Sequence, residues 1–224
     1  MSNTQEISNN PWILYHGSEN IIKKPVFGGG KLYNDYGQGF YTTLAEAMAG
    51  EWAVLTTKKD GYINEYEYDY TGLKVLRLDE IDIKYWIALL MEYREGNYKN
   101  PLVYDLIKQF KERYSMDISQ YDIIIGWRAD DSYFRYVQDF TLGLLSIENL
   151  MKAIKFGNLG IQVCLKSEKA FSENRIKFIS ANNANMDVYY EKAETRDKEA
   201  RESYYNMARE HGASTGTLIR DLLK

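Results

Sequence analysis

Apolar and polar positions divide the chain into short strands and amphipathic helices. Residues 12–16 (Trp12-Ile13-Leu14-Tyr15-His16) form an apolar run of strand length. Residues 18–38 read as loop, broken by Pro25 and by Gly28-Gly29-Gly30. Phe40 to Thr42 predict a second short strand. Thr43 and Glu46 then match a Thr-x-x-Glu capping box, in which the threonine hydroxyl accepts from the N–H of residue 46 while Glu46 reaches back. The helix it opens, Leu44 to about Leu55, places Ala45, Met48 and Trp52 on one face.

Further along, residues 61–70 alternate as a strand does, and 73–78 predict another. Residues 82–94 have a strongly amphipathic helical period. Asn100-Pro101 breaks the chain, and 101–114 predict a helix with Pro101 in its first turn. Residues 121–126 read as a buried strand closed by Gly126. Helices are predicted over 131–143 and 146–156, the second with Ser146 as N-cap. Strands follow at 160–166 and 176–179. Residues 186–211 are polar and helix-favouring, with opposite charges at three- and four-residue spacings, and Gly212 is placed to stop that helix. A last segment, Thr217 to Leu223, presents Leu218, Ile219, Leu222 and Leu223 on one face. No internal repeat interrupts this order. A β-rich start, a helical middle and a β-rich return predict an α+β fold with helices beside a mostly antiparallel sheet.

Composition narrows the possibilities. The 224 residues suffice for one sizeable domain or one with an insertion, and the 45% hydrophobic content is that of a folded chain. The net charge of −4 removes a global nucleic-acid footprint and leaves room only for a local patch. The lone Cys164 excludes an intramolecular disulfide and reads as a small hydrophobe inside a strand. Two histidines make a zinc site improbable, and no metal is expected. No apolar stretch approaches the roughly 18 residues of a membrane span. The first ten residues lack a signal-peptide pattern, so a cytoplasmic location is expected. Tyrosine stands out with 20 copies, several clustered at Tyr66, Tyr68, Tyr70 and in the pairs Tyr189-Tyr190 and Tyr204-Tyr205. These read either as element faces with phenolic tips in water or as stacking platforms for bases.

The candidate chemistry lies in Leu14-Tyr15-His16-Gly17-Ser18 and Gly37-Gln38-Gly39-Phe40-Tyr41-Thr42. A histidine at a strand end, bare backbone beside it and a glycine-flanked aromatic pair would suit a flat ring bearing a carboxamide. Together these motifs resemble the ADP-ribosyltransferase core of the diphtheria-toxin and poly(ADP-ribose) polymerase branch, whose triad is His, Tyr, Glu. A second aromatic eleven residues after the tyrosine matches Trp52. Residues 12–180 are similar to an uncharacterised bacterial family with an ADP-ribosyltransferase-like fold. That resemblance is carried by Asp35-Tyr36-Gly37-Gln38-Gly39-Phe40-Tyr41, by Ile124-Ile125-Gly126-Trp127-Arg128-Ala129-Asp130-Asp131-Ser132-Tyr133-Phe134, and by Gly160-Ile161-Gln162.

The resemblance implies a split antiparallel β-sheet core over residues 1–181, a helical insertion at about 81–115, and a helical extension over 182–224. It implies NAD as co-substrate. His16 would bond a ribose hydroxyl, and Gly17 would offer N–H and C=O to the nicotinamide carboxamide. Ser18 and Phe40 would flank them, and Tyr41 and Trp52 would sandwich the ring. Gln162 stands where the family has its glutamate. Glutamine can hold a hydroxyl but supplies neither charge nor base. A replacement carboxylate is therefore sought in Asp130 or Asp131, with Glu168 behind them, and Arg128 would grip the pyrophosphate. The two aspartates equally suit a helix N-terminus. The triple glycine lacks the Lys-Ser/Thr ending of a phosphate loop and reads as a flexible rim.

The activity so implied is mono-ADP-ribosyl transfer to a macromolecule (RNA, DNA or protein) by an intracellular toxin of a toxin–antitoxin or anti-phage module. The polar helix and the apolar face at 218–223 would suit an antitoxin. Lys23, Lys24 and Lys31 gather near the proposed site. An NAD glycohydrolase, and an inactive NAD or ADP-ribose binder, remain as alternatives.

Overall fold

The computed structural model describes residues 10–94, 101–129, 131–156, 160–172 and 174–224, with the side chains of 131–133 excepted. It is an α+β fold. The strands are β1 (Trp12–Ser18), β2 (Phe40–Thr43), β3 (Gly61–Tyr68), β4 (Val75–Arg77), β5 (Ile123–Trp127), β6 (Ile161–Leu165) and β7 (Ile176–Ala184). They join in one sheet in the order β4-β5-β6-β2-β1-β3-β7. β4 and β5 run parallel, and the other neighbouring pairs are antiparallel.

The helices are α1 (Glu46–Leu55), α2 (Ile83–Tyr93), α3 (Pro101–Tyr114), α4 (Asp131–Thr141), α5 (Ile147–Phe156), α6 (Met186–His211) and α7 (Ile219–Leu222). A short 3-10 turn covers Glu168–Phe171. The chain forms two compact units. The first comprises Met1–Glu80, Asp117–Arg128 and Gly160–Glu194; the second comprises Ile81–Met116, Ala129–Leu159 and Thr195–Lys224. The long helix α6 therefore begins in the first unit and continues in the second.

The first unit is the sheet with α1. Alternate residues of β1 face opposite sides, as a strand requires. Trp12 and Leu14 pack with Tyr68, Ile123, Ile125, Val163 and Leu165 on one face. Tyr15 packs on the other face against Ala49, Ala53, Val54, Ile63 and Ala184, where α1 lies. The seam between β1 and β2 is narrow, with Tyr15 opposite Thr43 as its register pair. By contrast β1 and β3 pair along their whole length, from Trp12–Tyr68 to Ser18–Tyr62. The sheet thus parts between β1 and β2, beside His16 and Tyr41.

The second unit is helical. Trp86, Ile87 and Leu90 of α2, Val103, Ile107 and Phe110 of α3, and Val137 and Phe140 of α4 are buried at helical spacing. The Phe110 and Phe140 rings meet edge-on with centroids 5.8 Å apart. Ser146 caps α5 by accepting from the N–H of Asn149. The Asn149 amide donates to the carbonyls of Gly212 and Ala213, which staples the turn after α6 to the start of α5. Gly212 has φ +74, the left-handed conformation that ends a helix at little cost to glycine.

Three expectations change. The Thr43–Glu46 box does not form. The N-cap is Ala45, with no side-chain cap. Thr43 Oγ1 accepts from the N–H of Ala45 and donates to the Ile161 carbonyl, so the sheet takes the hydroxyl the helix would have used. Tyr66 and Tyr68 do not dip their tips in water. Both are buried, and their hydroxyls donate to the carbonyls of Ile22 and Ala170. Finally, β7 runs five residues beyond the predicted end at residue 179, because β3 offers it a partner as far as Gly61.

Candidate functional site

A cavity of about 540 Å³ opens in the first unit where the sheet parts. That volume lies within the roughly 300–1,000 Å³ of small-molecule sites. Its lining brings together His16, Gly17, Ser18, Phe40, Tyr41, Trp52 and Arg128. The strand ends, α1 and the segment from Glu19 to Asn34 supply its walls.

His16 lies at the parting of the strands. Its Nδ1 is 2.7 Å from the Tyr41 carbonyl. A carbonyl only accepts, so Nδ1 carries the hydrogen. Nε2 then presents a lone pair when the ring is neutral. Burial lowers the His16 pKa below its ordinary value, and the bond to Tyr41 opposes this only in part. The neutral form prevails, and its ring rests on Phe40 with centroids 4.4 Å apart. His16 is therefore a fixed hydrogen-bond acceptor at neutral pH.

Tyr41 is fixed at its far end. Its hydroxyl accepts from the Tyr36 N–H at 2.9 Å and donates to the Gly37 carbonyl at 2.6 Å. Burial raises the phenol pKa far above its usual value. With both hydrogen-bonding roles taken inside the turn, Tyr41 offers the cavity its ring and no acid–base group. Gly37 has φ +74, which lets the chain turn tightly enough for the 35–39 segment to close over that hydroxyl.

Gly17 serves packing as well as access. A Cβ there would strike the carbonyl oxygen of Ala49 and approach the Ala53 nitrogen at 2.7 Å. Helix α1 therefore lies directly on bare strand, and this brings Trp52 to the cavity. The Arg128 guanidinium stands over the Trp52 ring at 4.8 Å. One face of the indole is thus covered by a cation, which leaves the other for any sandwich with Tyr41. Trp52 Nε1 and Thr57 Oγ1 are buried and form no hydrogen bond with any described residue. Both residues line the cavity. Such orphaned polar atoms fit a polar ligand.

Gln162 is placed differently. It is 3% exposed and is not part of the cavity lining. Its Nε2 donates to Asp35 Oδ2 at 2.7 Å and to the Trp127 carbonyl at 3.2 Å. The amide ties β6 to the turn before β2 and to the end of β5. Asp130 lies outside the described residues. Asp131 opens α4 in the second unit, and its side chain also lies outside them. Glu168 is exposed on the 3-10 turn and does not line the cavity. Among the described lining residues the carboxylate present is Glu19, which is exposed. The triple glycine does form a rim, and Gln38 pins it by donating to the carbonyls of Gly28 and Gly30.

Sequence reasoning missed Asn64. Fully buried, it accepts from the Ile22 N–H at 2.8 Å. Its Nδ2 donates to the His16 carbonyl, Ser18 Oγ and the Asn20 carbonyl. This one side chain folds the segment after β1 back over the cavity. An isolated asparagine in a strand of alternating residues gives no such signal. No local pattern marks Thr57 or Glu19 either, and Asp35 is read from sequence only as the first residue of the Asp35–Tyr41 motif.

Among the described residues no cluster of His, Cys, Asp and Glu is suited to hold a metal. No helix among them is long and apolar enough to cross a membrane. A family described as a protein of unknown function (DUF3990) matches residues 12–178. Comparison with curated proteins and with solved structures gives no match.

Proposed function

The chain belongs to the DUF3990 family of unknown function, and from its own geometry we propose that it is an NAD-dependent mono-ADP-ribosyltransferase. The observation that carries this reading is the pairing across the parted sheet. A neutral histidine with Nε2 as acceptor and a tyrosine ring immobilised at its hydroxyl share one cavity. Nε2 of His16 would accept from a ribose hydroxyl. The Tyr41 ring and the open face of Trp52 would hold the nicotinamide by stacking. Arg128, over Trp52, would meet the pyrophosphate charge. The orphaned Trp52 Nε1 and Thr57 Oγ1 would gain partners.

In the transfer, the bond between the ribose C1″ and the nicotinamide nitrogen breaks, and its electron pair leaves with nicotinamide. A lone pair on the acceptor forms the new bond to C1″, and the acceptor proton passes to water. Positive charge grows on the ribose in between. Following the sequence resemblance, the activity serves an intracellular toxin of a toxin–antitoxin or anti-phage module. An inactive NAD-binding module is a second reading. The engagement of Gln162 with Asp35, away from the cavity lining, favours it.

The test incubates purified protein with adenylate-labelled NAD and cell lysate, then separates protein, RNA and DNA. Label in a macromolecular fraction, lost in His16→Ala, is expected, together with growth arrest by the wild type and not by that variant. Intact NAD with no labelled fraction would overturn transfer. Loss of NAD with free nicotinamide and no labelled fraction would identify a glycohydrolase instead.

A further inference from the structure

We propose that Tyr36 is a positioning residue of the site: buried behind the cavity, it ties the Tyr41 wall to the Arg128–Trp52 wall and so fixes the gap that a flat ring would enter. This rests on the reading of the cavity as an NAD site and names the residue that sets its walls.

Tyr36 is fully buried and does not line the cavity. Its backbone and its ring both serve Tyr41. The Tyr36 N–H donates to the Tyr41 hydroxyl at 2.9 Å, and the two rings lie stacked at an interplanar angle of 24°, with centroids 6.2 Å apart. The Tyr36 carbonyl accepts from Lys166 Nζ at 2.6 Å, which anchors the residue just past β6. The hydroxyl reaches the other way. It donates to the carbonyl of Trp127, the last residue of β5, at 2.6 Å. Next in the chain is Arg128, whose guanidinium stands over the Trp52 ring at 4.8 Å. One side chain therefore touches Tyr41 at its ring and, at its tip, the peptide that carries the cover of Trp52.

The sheet keeps room for that tip. A Cβ on Gly126 would lie 2.5 Å from the Tyr36 hydroxyl oxygen and 3.0 Å from the Leu78 Cβ, both too close for packed atoms. Gly126, one residue before Trp127, is thus the socket of the Tyr36 hydroxyl. A plain core position would be filled as well by phenylalanine. Nor does the Trp127 carbonyl depend on this donor to escape being orphaned, because Gln162 Nε2 reaches it at 3.2 Å. A bare glycine and a phenol aimed at a carbonyl that already has a donor fix a place in the fold.

The place fixed is the separation of the two walls. A ring that stacks between two aromatics binds best when both already stand at the right distance, since ordering them on binding costs affinity. Tyr36 supplies that order from behind. Without its hydroxyl, the end of β5 is held at Trp127 by the longer Gln162 bond alone among the printed side-chain contacts to that carbonyl. Arg128 and the Trp52 ring beneath it then gain freedom, while His16 keeps its bond to the Tyr41 carbonyl.

The experiment compares Tyr36→Phe, Gly126→Ala and the double variant with the wild type, all as the full chain. Thermal denaturation reads stability, and isothermal titration reads NAD affinity. Fluorine NMR of protein carrying fluorotryptophan, with the Trp52 signal assigned through Trp52→Phe, reads the wall itself. Tyr36→Phe should stay folded, shift the Trp52 resonance with no NAD present, and weaken NAD binding about 2- to 10-fold, the worth of one hydrogen bond. Gly126→Ala should lower the denaturation midpoint and weaken NAD binding as well. In the double variant the missing hydroxyl makes room for the methyl group, so the midpoint should recover in part and the NAD affinity should not. Recovery of both would overturn the proposal, because the hydroxyl would then only fill space. An unmoved Trp52 resonance in Tyr36→Phe would overturn it too, as would wild-type NAD affinity in that variant. A shifted Trp52 resonance in Tyr36→Phe, when the wild type itself binds no NAD, would overturn the NAD reading and leave the tie between the walls standing.

Discussion

The hydrogen on His16 decides what the site can do. Because Nδ1 must donate to the Tyr41 carbonyl, the neutral ring has one defined tautomer and Nε2 can only accept. The pH dependence follows. Burial lowers the pKa below its ordinary 6.5, so the folded protein holds this proton less readily than the unfolded chain. Above pH 6.5 both states are neutral, and His16 contributes nothing to the pH dependence of stability. Below 6.5 the unfolded chain takes the proton first, so stability falls as pH falls until the folded pKa is passed. Nicotinamide release should therefore stay level from neutral pH down through 6.5 and decline only in more acid solution. A pH–rate profile checks this, and an acid limb centred at or above 6.5 would contradict it. At this scale His16, Gly17, Tyr41 and Trp52 were legible, because glycines and aromatics at strand ends are rare enough to be noticed. Asn64 was not, and Asp35 was legible only as part of its motif, not as the partner of Gln162. Their roles come from partners 42 to 48 and 127 residues away, which no local pattern records.

Elements place those residues, and Gln162 shows how. The sequence resemblance sets it at the position of a glutamate. In the fold it is a bridge whose donors fasten β6 to the turn holding Asp35 and to the end of β5 beside Arg128. Replacing it by glutamate would put a second carboxylate against Asp35 and take the amide donor from the Trp127 carbonyl, which keeps the Tyr36 hydroxyl at 2.6 Å. Gln162→Glu should lose on the order of 2–4 kcal/mol of stability, measured as a lower denaturation midpoint that recovers in acid as the pair takes up a proton. A variant as stable as the wild type, with faster nicotinamide release, would restore glutamine to the role of a substitute glutamate. Strand and helix positions were mostly legible from periodicity, and α3 and α6 fall where the pattern put them. The start of α1 was not. The Thr43 hydroxyl had two suitors, and sequence shows the helix but not the Ile161 carbonyl across the sheet.

For the molecule as a whole, the order of strands matters more than their number. Nothing in the hydrophobic pattern says that β1 and β2 are neighbours with a narrow seam, yet the cavity exists because of that seam. Residues 81–116, 129–159 and 195–224, which form one compact unit, come from three separate stretches of the chain. The α+β class was legible because long amphipathic helices and short apolar strands carry distinct periods. The central claim is that the cavity between these strands holds NAD through His16. Isothermal titration of NAD into the purified protein tests it most directly. The account predicts saturable one-to-one binding, weakened roughly tenfold or more in His16→Ala, with the circular dichroism spectrum unchanged. Absence of binding by the wild type, or equal affinity in a folded His16→Ala variant, would contradict it.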